Sequence, residues 1–397
     1  MAGIVVVSFS LTVAIIGFLL WSRLAWRIAT DIPNGRSLHD APVPRVGGWG
    51  VVPAVFAAAF AFGFADIVSA AIAALLFALS YADDRRGLPI VVRLPMHAAA
   101  AAAWLAFGPV ELPIVVAALA AFAIVWITNL FNFMDGSDGL AGGMALFAFG
   151  TYAGVALVSG VQPLALWSMA FAGASAGFLL FNFNPARVFL GDAGSVTLGF
   201  FAGAFGIWGW AANAWPVWFP FLVSAPFFLD ATATILRRIF RGEHFWRAHR
   251  EHYYQRLIRS GWSHRRTAFA EYALMGASAG LAVMMLEWSE PLQYVVLGGV
   301  GVAYFAMASI IDRRWAAFQV GGQADDINKT ESATGNRVAS VVAKQPAAAQ
   351  QERSHAIESR MSGSRQAVVN RPHTAVDPGA RRYEEPAFQR EGEHAGK

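Results

Sequence analysis

Five aspartates dominate the polar residues of this sequence that could carry out chemistry. They stand in three short segments: Asp83 beside Asp84, Asp135 and Asp138 within Asp-Gly-Ser-Asp-Gly, and Asp192 within Gly-Asp-Ala-Gly. The chain contains no cysteine, which excludes a thiolate metal site, a cysteine nucleophile and a disulfide framework. Carboxylate oxygens suit Mg²⁺ or Mn²⁺, and Mg²⁺ typically binds one or two carboxylates together with substrate phosphates and water. The sequence therefore predicts a magnesium-dependent, phosphate-handling site.

Amide, guanidinium and imidazole groups accompany these acids. Arginine can bind phosphate through two N–H groups at once, and such groups beside carboxylates and Mg²⁺ favour phosphoryl transfer, in which catalysis is mostly positioning and charge neutralisation. The arginines and histidines that could contact an anionic phosphate are Arg45, Arg187, His249, Arg250 and His252, and the same motifs carry Asn132, Asn182 and Asn184.

Each motif also has a structural interpretation. Asp83 and Asp84 could simply end a helix at a membrane surface, the Asp-Gly run could be an ordinary turn, and Asp192 could cap the next helix. The arginine-rich segment 237–266 could face lipid headgroups. Two acids in one short loop near hydrocarbon are costly without a partner, which favours a functional role for the Asp-Gly run.

The elements that must position these residues are membrane helices. The chain is 56% hydrophobic and 14% charged, whereas soluble domains carry about 25% charged residues. Apolar runs long enough to cross a bilayer recur through residue 311. We predict an all-α bundle of eleven spans, at 3–21, 48–65, 67–81, 94–108, 112–130, 140–159, 163–183, 194–212, 215–236, 268–287 and 291–311.

Positive charge orients this bundle. Residues 1–311 contain seventeen arginines and no lysine, and all seventeen lie in four alternate connections, at 22–47, 82–93, 184–193 and 237–266. Because basic loops stay in the cytoplasm, we expect the N-terminus outside, the C-terminus inside and every acidic motif at the cytoplasmic face. Asp230 is the exception, since it lies within a predicted span, where an ionisable residue is a functional hypothesis by default.

The composition changes after the last span. Residues 316–397 are rich in polar and charged residues and show no periodic apolar face, so we predict a transmembrane catalytic domain at 1–315 and a disordered cytoplasmic tail at 316–397.

Taken in order, the motifs resemble the polyprenyl-phosphate N-acetylhexosamine-1-phosphate transferases, the glycosyltransferase 4 type. The resemblance covers roughly 35–260 and comprises Pro-Arg-x-Gly-Gly, the Asp-Asp pair, Asn-x-x-Asn-Phe-Met-Asp-Gly-x-Asp-Gly, Asn-Pro-Ala-x-x-Phe-Leu-Gly-Asp-x-Gly-Ser and a terminal His loop. It implies a Mg²⁺-dependent reaction of a UDP-N-acetylhexosamine with undecaprenyl phosphate, giving a polyprenyl-diphosphate sugar and UMP, in the inner membrane of a bacterium.

The resemblance also implies roles for the acids. Asp192 matches the principal Mg²⁺ ligand, with Asp84 beside it. Asp83 matches the base or orienting acid for the lipid phosphate, and it would be the nucleophile if an aspartyl-phosphate forms. Asp135 and Asp138 would complete the surroundings of the metal and the diphosphate.

The remaining motif residues match the substrate-binding parts of the family. Asn182 and Asn184 match the region that holds the uridine end, and His249 and His252 match the His motif near phosphate and sugar. Asp230 matches an aspartate in the span before the basic loop, without a defined role.

Two departures bear on the branch of the family. The Asp pair continues as Arg85-Arg86-Gly87 without a third acid, and the His loop reads His-Arg-Glu-His. Both resemble enzymes that initiate O-antigen or related polysaccharides, with UDP-GlcNAc, UDP-FucNAc or UDP-QuiNAc as open donors. The cell-wall phospho-N-acetylmuramoyl-pentapeptide branch remains an alternative. We expect no nucleic-acid partner, and a homodimer is left open.

Two interpretations come from other classes. A secondary transporter of an anionic solute would place its coupling charges near the middle of the membrane, where only Asp230 is moderately deep. A non-catalytic scaffold for polysaccharide assembly would depend on the tail rather than on Asp192.

Overall fold

Helices form nearly all the regular structure in the part of the chain that the computed structural model describes. That part is residues 1–33, 38–244 and 249–343, with His355 and Glu358 beyond it, and only the backbone is described for 321–343. Chain contacts separate Met1–Val320 from Gly321–Lys397. The acidic motifs all lie in the first of these units.

Fourteen helices and one short hairpin are found in these ranges. The strands β1 (Thr30–Asp31) and β2 (Val43–Pro44) pair antiparallel. The helices are α1 (Ala2–Trp21), α2 (Ala25–Ile28), α3 (Gly47–Ala61), α4 (Ile67–Arg86), α5 (Ile90–Phe107), α6 (Ile114–Met134), α7 (Leu140–Val158), α8 (Gln162–Asn182), α9 (Asp192–Ala211), α10 (Phe219–Val223), α11 (Ala225–Phe240), α12 (Tyr253–Arg259), α13 (His264–Met285) and α14 (Glu290–Ala343).

Eight helices in the described ranges are long and apolar enough to cross a membrane, the last of them being the Glu290–Val320 part of α14. The prediction of a polytopic helical membrane protein is therefore confirmed. Each of the eleven predicted segments coincides with a helix or, at 215–236, with the pair α10 and α11. The count of eleven spans and their orientation stay predictions.

The helix boundaries differ from the prediction where the acidic motifs begin. The span predicted at 67–81 continues as α4 to Arg86, and the span predicted at 94–108 begins as α5 at Ile90. These two predicted spans stop short of the charged residues beside them, whereas a helix can carry such residues into the aqueous edge of the membrane. Gly87, with φ 64°, then ends α4 in the left-handed conformation that glycine adopts without strain. As a result Asp83 and Asp84 lie on the last turns of a rigid helix.

Helix α9 occupies the centre of the bundle and packs against α3, α4, α6 and α7. Its residues 193–209 are buried. Glycines allow the close approach: a Cβ added to Gly48 of α3 would lie 2.4 Å from the backbone nitrogen of Gly194, and one added to Gly199 would lie 2.9 Å from the Cα of Thr128. This packing brings Asp192, the first residue of α9, beside the ends of α3, α4 and α6.

The segment after β2 is joined to the segment that precedes α9. Phe189 N donates to the Pro44 carbonyl, and Gly47 N donates back to the Phe189 carbonyl, both at 2.9 Å. Gly48 N donates to the Leu190 carbonyl at 2.9 Å. These backbone hydrogen bonds hold Arg45 next to the entry of α9.

The predicted disordered tail, 316–397, stays a prediction. Helix α14 is described as far as Ala343 and therefore enters this segment, and apart from His355 and Glu358 the rest of the tail lies outside the described residues.

Candidate active site

A polar cavity of about 370 Å³ lies where the ends of the central helices meet. Several predicted site residues line it: Arg45, Asn132, Asp135, Asp138, Asn182, Asp192 and His249. Asp31, His39, Ser137, Phe189, Gln255 and His264 also line it. Tertiary packing therefore brings together residues from the first loop, from the α6–α7 loop, from the entry of α9 and from the His loop.

Asp83 and Asp84 lie next to this cavity rather than among its described lining residues. Asp83 is buried, accepts a hydrogen bond from the Leu88 backbone N–H at 2.6 Å, and pairs with Arg93 Nη1 at 2.7 Å. Arg93 is on the first turn of α5, so the two helix ends are joined by this ion pair. The pair fixes the orientation of the Asp83 carboxylate.

Asp84 and Asp192 approach each other at the start of α9. The Asp84 carboxylate accepts hydrogen bonds from the backbone N–H groups of Asp192 and Ala193, which are unpaired within the helix. Arg45 contacts Asp84 at 3.5 Å and Asp31 at 2.9 Å. The Asp192 carboxylate, which is 26% exposed, lies 3.9 Å from Arg93 Nη1.

Carboxylates outnumber guanidinium groups in this cluster. Asp83, Asp84 and Asp192, with Asp31 and Asp135 nearby, face the two arginines of the previous paragraphs. Burial, with a further contribution from Asp192, raises the pKa of Asp135 well above its usual value. A bound cation would relieve the repulsion among these carboxylates.

The loop between α6 and α7 is anchored to the end of α8. Asp138 Oδ2 accepts hydrogen bonds from Asn184 Nδ2 at 2.8 Å and from the Ala186 backbone N–H at 3.1 Å. Asn182 Oδ1 accepts from the Gly139 backbone N–H at 2.9 Å, and its Nδ2 donates to the Val188 carbonyl. Asn184 therefore acts through Asp138, whereas Asn182 both fixes the loop and lines the cavity.

Asn132 lies on the last turn of α6 and reaches the cavity from there. Its Oδ1 accepts a hydrogen bond from the Ser195 hydroxyl at 3.2 Å. Because Ser195 is on the first turn of α9, this contact aligns the end of α6 with the start of α9.

Asp230 holds the start of α12, which follows the His loop. Its carboxylate accepts from the backbone N–H groups of Tyr253 at 3.0 Å and Tyr254 at 3.2 Å, and lies 3.3 Å from His252 Nδ1. His252 is 2% exposed and is not among the described residues that line the cavity. Asp230 and His252 therefore position the His loop.

His249 reaches the cavity. Burial, with smaller contributions from His252 and Arg238, lowers the pKa of His249 to about 4. The imidazole is therefore neutral at pH 7 and can donate or accept a hydrogen bond. Its Nδ1 is buried and has no hydrogen-bond partner among the described residues.

Two predicted substrate-binding arginines are not brought to the cavity by the described contacts. The Arg187 guanidinium donates to the Leu180 carbonyl at 3.0 Å and lies over the Phe181 ring. The backbone carbonyl of Arg250 accepts from Arg259 Nη1 at 3.0 Å, and its side chain is not among the described lining residues.

Comparisons with known proteins identify the family of this chain. The model of glycosyl transferase family 4 matches residues 67–209. The chain is 31% identical to the decaprenyl-phosphate N-acetylglucosaminephosphotransferase of Mycobacterium tuberculosis over 350 residues, covering 75% of this chain and 85% of that protein. The chain belongs to the polyprenyl-phosphate N-acetylhexosamine-1-phosphate transferase family.

Two further relatives of this transferase family come from other bacteria. A Bacillus subtilis protein named a probable undecaprenyl-phosphate N-acetylglucosaminyl 1-phosphate transferase is 29% identical, over 67% of this chain and 79% of that protein. The undecaprenyl-phosphate alpha-N-acetylglucosaminyl 1-phosphate transferase of Escherichia coli is 27% identical, over 72% and 84%.

In this transferase, the side chains that could bind Mg²⁺ show whether the site suits that ion. Among the described residues, no group of three or more His, Asp and Glu side chains is arranged to hold a metal ion. A site completed by substrate needs fewer, since Mg²⁺ commonly uses one or two carboxylates with phosphate oxygens and water. Asp192 and Asp84 supply such carboxylates in a cluster with excess negative charge. These two carboxylates are therefore suitable ligands for Mg²⁺.

Five polar residues at the site of this transferase were not predicted from the sequence: Asp31, Arg93, Ser137, Gln255 and His264. Arg93 was counted with the basic loops, although its position ten residues after Asp83, across a tight glycine turn, could have suggested the pairing. Ser137 occupies the variable position of its motif, and no local signal identified Gln255 or His264.

The placement of Asp230 leads to a testable expectation for this transferase. Replacing Asp230 with asparagine removes the negative charge and one of the acceptors at the start of α12, so we expect turnover to fall about tenfold or more, the size of a hydrogen bond to a charged group. Steady-state kinetics would measure the turnover. Asp66→Asn is the control, because Asp66 caps the start of α4, the end of that helix away from Asp83 and Asp84. Equal turnover in Asp230→Asn and wild type would contradict the positioning role.

Proposed function

We propose that this protein transfers N-acetylhexosamine 1-phosphate from a UDP-sugar to undecaprenyl phosphate, releasing UMP. The observation that carries the proposal is the cluster of Asp83, Asp84 and Asp192 with Arg45 and Arg93 beside a polar cavity. Carboxylates and guanidinium groups in contact suit a reaction in which two phosphate-bearing substrates meet. The relatives' printed names support the same acceptor class.

The cavity is the proposed donor site. Asn182 and Asn184 would hold the uridine end, as in the family pattern, with Asn184 acting through its hydrogen bond to Asp138. Arg45 would bind the diphosphate. The neutral His249 would hydrogen-bond a phosphate or sugar oxygen. UDP-GlcNAc is the first donor to test, because the relatives' names specify N-acetylglucosamine.

The acceptor phosphate is proposed to lie at Asp83 and Arg93. The neighbouring residues of α5 are apolar and exposed on the bundle surface, with Val91 75% and Leu94 40% exposed. A polyprenyl chain could therefore remain in the hydrocarbon while its phosphate reaches Arg93. Such a placement keeps the charged group at the aqueous edge of the membrane.

In the proposed reaction, an oxygen of the lipid phosphate attacks the phosphorus that bears the sugar. A new P–O bond forms while the diphosphate bond of the donor breaks, and UMP leaves with the electron pair. Asp83 orients the acceptor or takes its proton, and Arg93 stabilises the charge that develops between the phosphates. Direct attack and an aspartyl-phosphate on Asp83 are both compatible with this geometry.

Asp192 and Asp84 are the residues proposed to hold Mg²⁺, which Mn²⁺ could replace. When bound, the ion supplies neutralisation of the diphosphate and of the departing UMP.

We propose that the arginine-bearing loops and the cavity face the cytoplasm in the inner membrane of a bacterium. The distribution of arginines supports this orientation. The reaction would then be the first membrane step of O-antigen or another surface polysaccharide. The Asp pair is followed by Arg85-Arg86-Gly87 without a third acid, and this supports the assignment over the cell-wall branch.

The test is a transfer assay with purified full-length protein. Undecaprenyl phosphate, Mg²⁺ and a panel of UDP-N-acetylhexosamines would be supplied, and UMP and the lipid product would be detected by mass spectrometry. We expect product with one donor, complete loss in EDTA, and recovery with added Mg²⁺. A folded protein that yields no lipid product with any donor would contradict the proposal, and uptake of an anionic solute into vesicles would then be measured.

A further inference from the structure

Helix α13, which no motif above includes, holds the middle of the α6–α7 loop. The Ser137 hydroxyl lies 2.9 Å from His264 Nδ1, and His264 Nε2 lies 2.9 Å from the Leu38 carbonyl oxygen. All three residues line the cavity. Two turns further along α13, the Tyr272 hydroxyl donates to the Gly139 carbonyl at 2.7 Å.

The partners of His264 define its tautomer. A carbonyl oxygen can only accept, so Nε2 carries the hydrogen that is donated to Leu38. The tautomer with its hydrogen on Nε2 presents a lone pair at Nδ1, which accepts the hydrogen of the Ser137 hydroxyl. His264 therefore bridges the first loop and the Asp-Gly-Ser-Asp-Gly loop through one side chain.

The end of the loop next to α7 has anchors of its own. Asp138 is held by Asn184 and by the Ala186 backbone, and Gly139 is held by Asn182. Ser137 carries the side-chain contact that ties the middle of the loop to α13. A change at this bond should therefore alter the cavity wall without removing Asp138.

We infer that His264 is a positioning residue that sets donor affinity through Ser137. The bond holds the loop in the shape that binds the nucleotide-diphosphate part of the donor, while Leu38 is held against the same cavity. This inference rests on the proposed function, since it assigns the donor to this cavity. It predicts an effect on donor KM and none on acceptor KM, because Asp83 and Arg93 lie on other helices.

The experiment compares the hydroxyl deletion Ser137→Ala with His264→Ala and His264→Gln. We expect Ser137→Ala and His264→Ala each to raise donor KM about threefold to tenfold, which corresponds to one net hydrogen bond, with kcat nearly unchanged. His264→Gln should recover much of the affinity, because its amide offers both an acceptor and a donor. The donor KM of the double alanine variant should not exceed the higher of the two single-variant values, because both changes remove the same hydrogen bond.

Ser159→Ala is the matched control. Ser159 donates to the Ala214 carbonyl beyond the far end of α7, so its hydroxyl has a similar partner away from the cavity. Its donor KM should equal that of wild type. If His264→Ala does not fold, as judged by size exclusion and thermal unfolding, Ser137→Ala and His264→Gln still decide the question.

Calorimetric titration with UDP separates the two proposals. Weaker UDP binding by Ser137→Ala, with transfer intact in wild type, supports both. A wild type that binds UDP but transfers no sugar phosphate contradicts the proposed function, while a drop in UDP affinity in Ser137→Ala still supports the role of the pair. Equal UDP affinity and equal donor KM in Ser137→Ala and wild type overturn the inference.

Discussion

Replacing Asp192 with asparagine is expected to lower kcat by about a thousandfold, the effect of removing one preorganised charge from a reacting centre. Asp192 is the first residue of α9, lines the cavity, and lies beside Asp84 and Arg93. The amide keeps the shape of the side chain but loses the negative charge that a divalent cation requires. The measurement is initial transfer rate as a function of Mg²⁺ concentration.

The Mg²⁺ dependence makes this test specific. We expect the residual activity of Asp192→Asn to need a higher Mg²⁺ concentration than wild type, because one charged ligand has been removed. Asp66→Asn, at the other end of α4, should behave as wild type, since asparagine also caps helices well. Full activity of Asp192→Asn at the wild-type Mg²⁺ concentration would remove Asp192 from the metal site.

Replacing Arg93 with alanine is expected to reduce kcat/KM for the lipid acceptor about a hundredfold or more, the loss typical of removing one preorganised donor to developing charge. Arg93 Nη1 pairs with Asp83 at 2.7 Å and lies 3.9 Å from Asp192. Its loss leaves the buried Asp83 uncompensated and removes the proposed contact to the acceptor phosphate. Kinetics at varied undecaprenyl phosphate would measure the effect.

Two further variants separate the geometry of Arg93 from its charge. Arg93→Lys keeps the charge but loses the planar fork, so its activity should lie between those of Arg93→Ala and wild type. Arg86→Ala removes an exposed arginine from the last turn of α4 and should leave the acceptor KM unchanged. A similar loss in Arg86→Ala and Arg93→Ala would attribute the effect to overall surface charge instead.

Much of the fold was readable from the sequence because lipid imposes a simple rule on it. A backbone in hydrocarbon must satisfy its own hydrogen bonds, so long apolar runs become helices. Each of the eleven predicted segments coincides with a helix or, at 215–236, with two. The ends were less accurate, as at α4 and α5, because helices continue past the apolar run that identifies them. The break between α10 and α11 falls at Ser224, just before Pro226, which lacks a backbone N–H.

The sequence by itself determined which residue types could react and that the acidic motifs share the arginine-bearing loops or their edges. It also determined the family, because five motifs in one order are specific. It did not determine which side chains touch: Arg45 and Asp84 are 39 residues apart, and Ser137 and His264 are 127 apart.

Only the tertiary structure decided those partners. It placed Asp192 beside Arg93 and showed that Asp230 accepts hydrogen bonds from the start of α12. It also brought His264 to the cavity, whereas Arg187 is not among the described lining residues. The physical reason is that helix packing depends on the fit of whole surfaces, such as the close approach of Gly48 to Gly194. Local patterns of charge and hydropathy do not encode that fit.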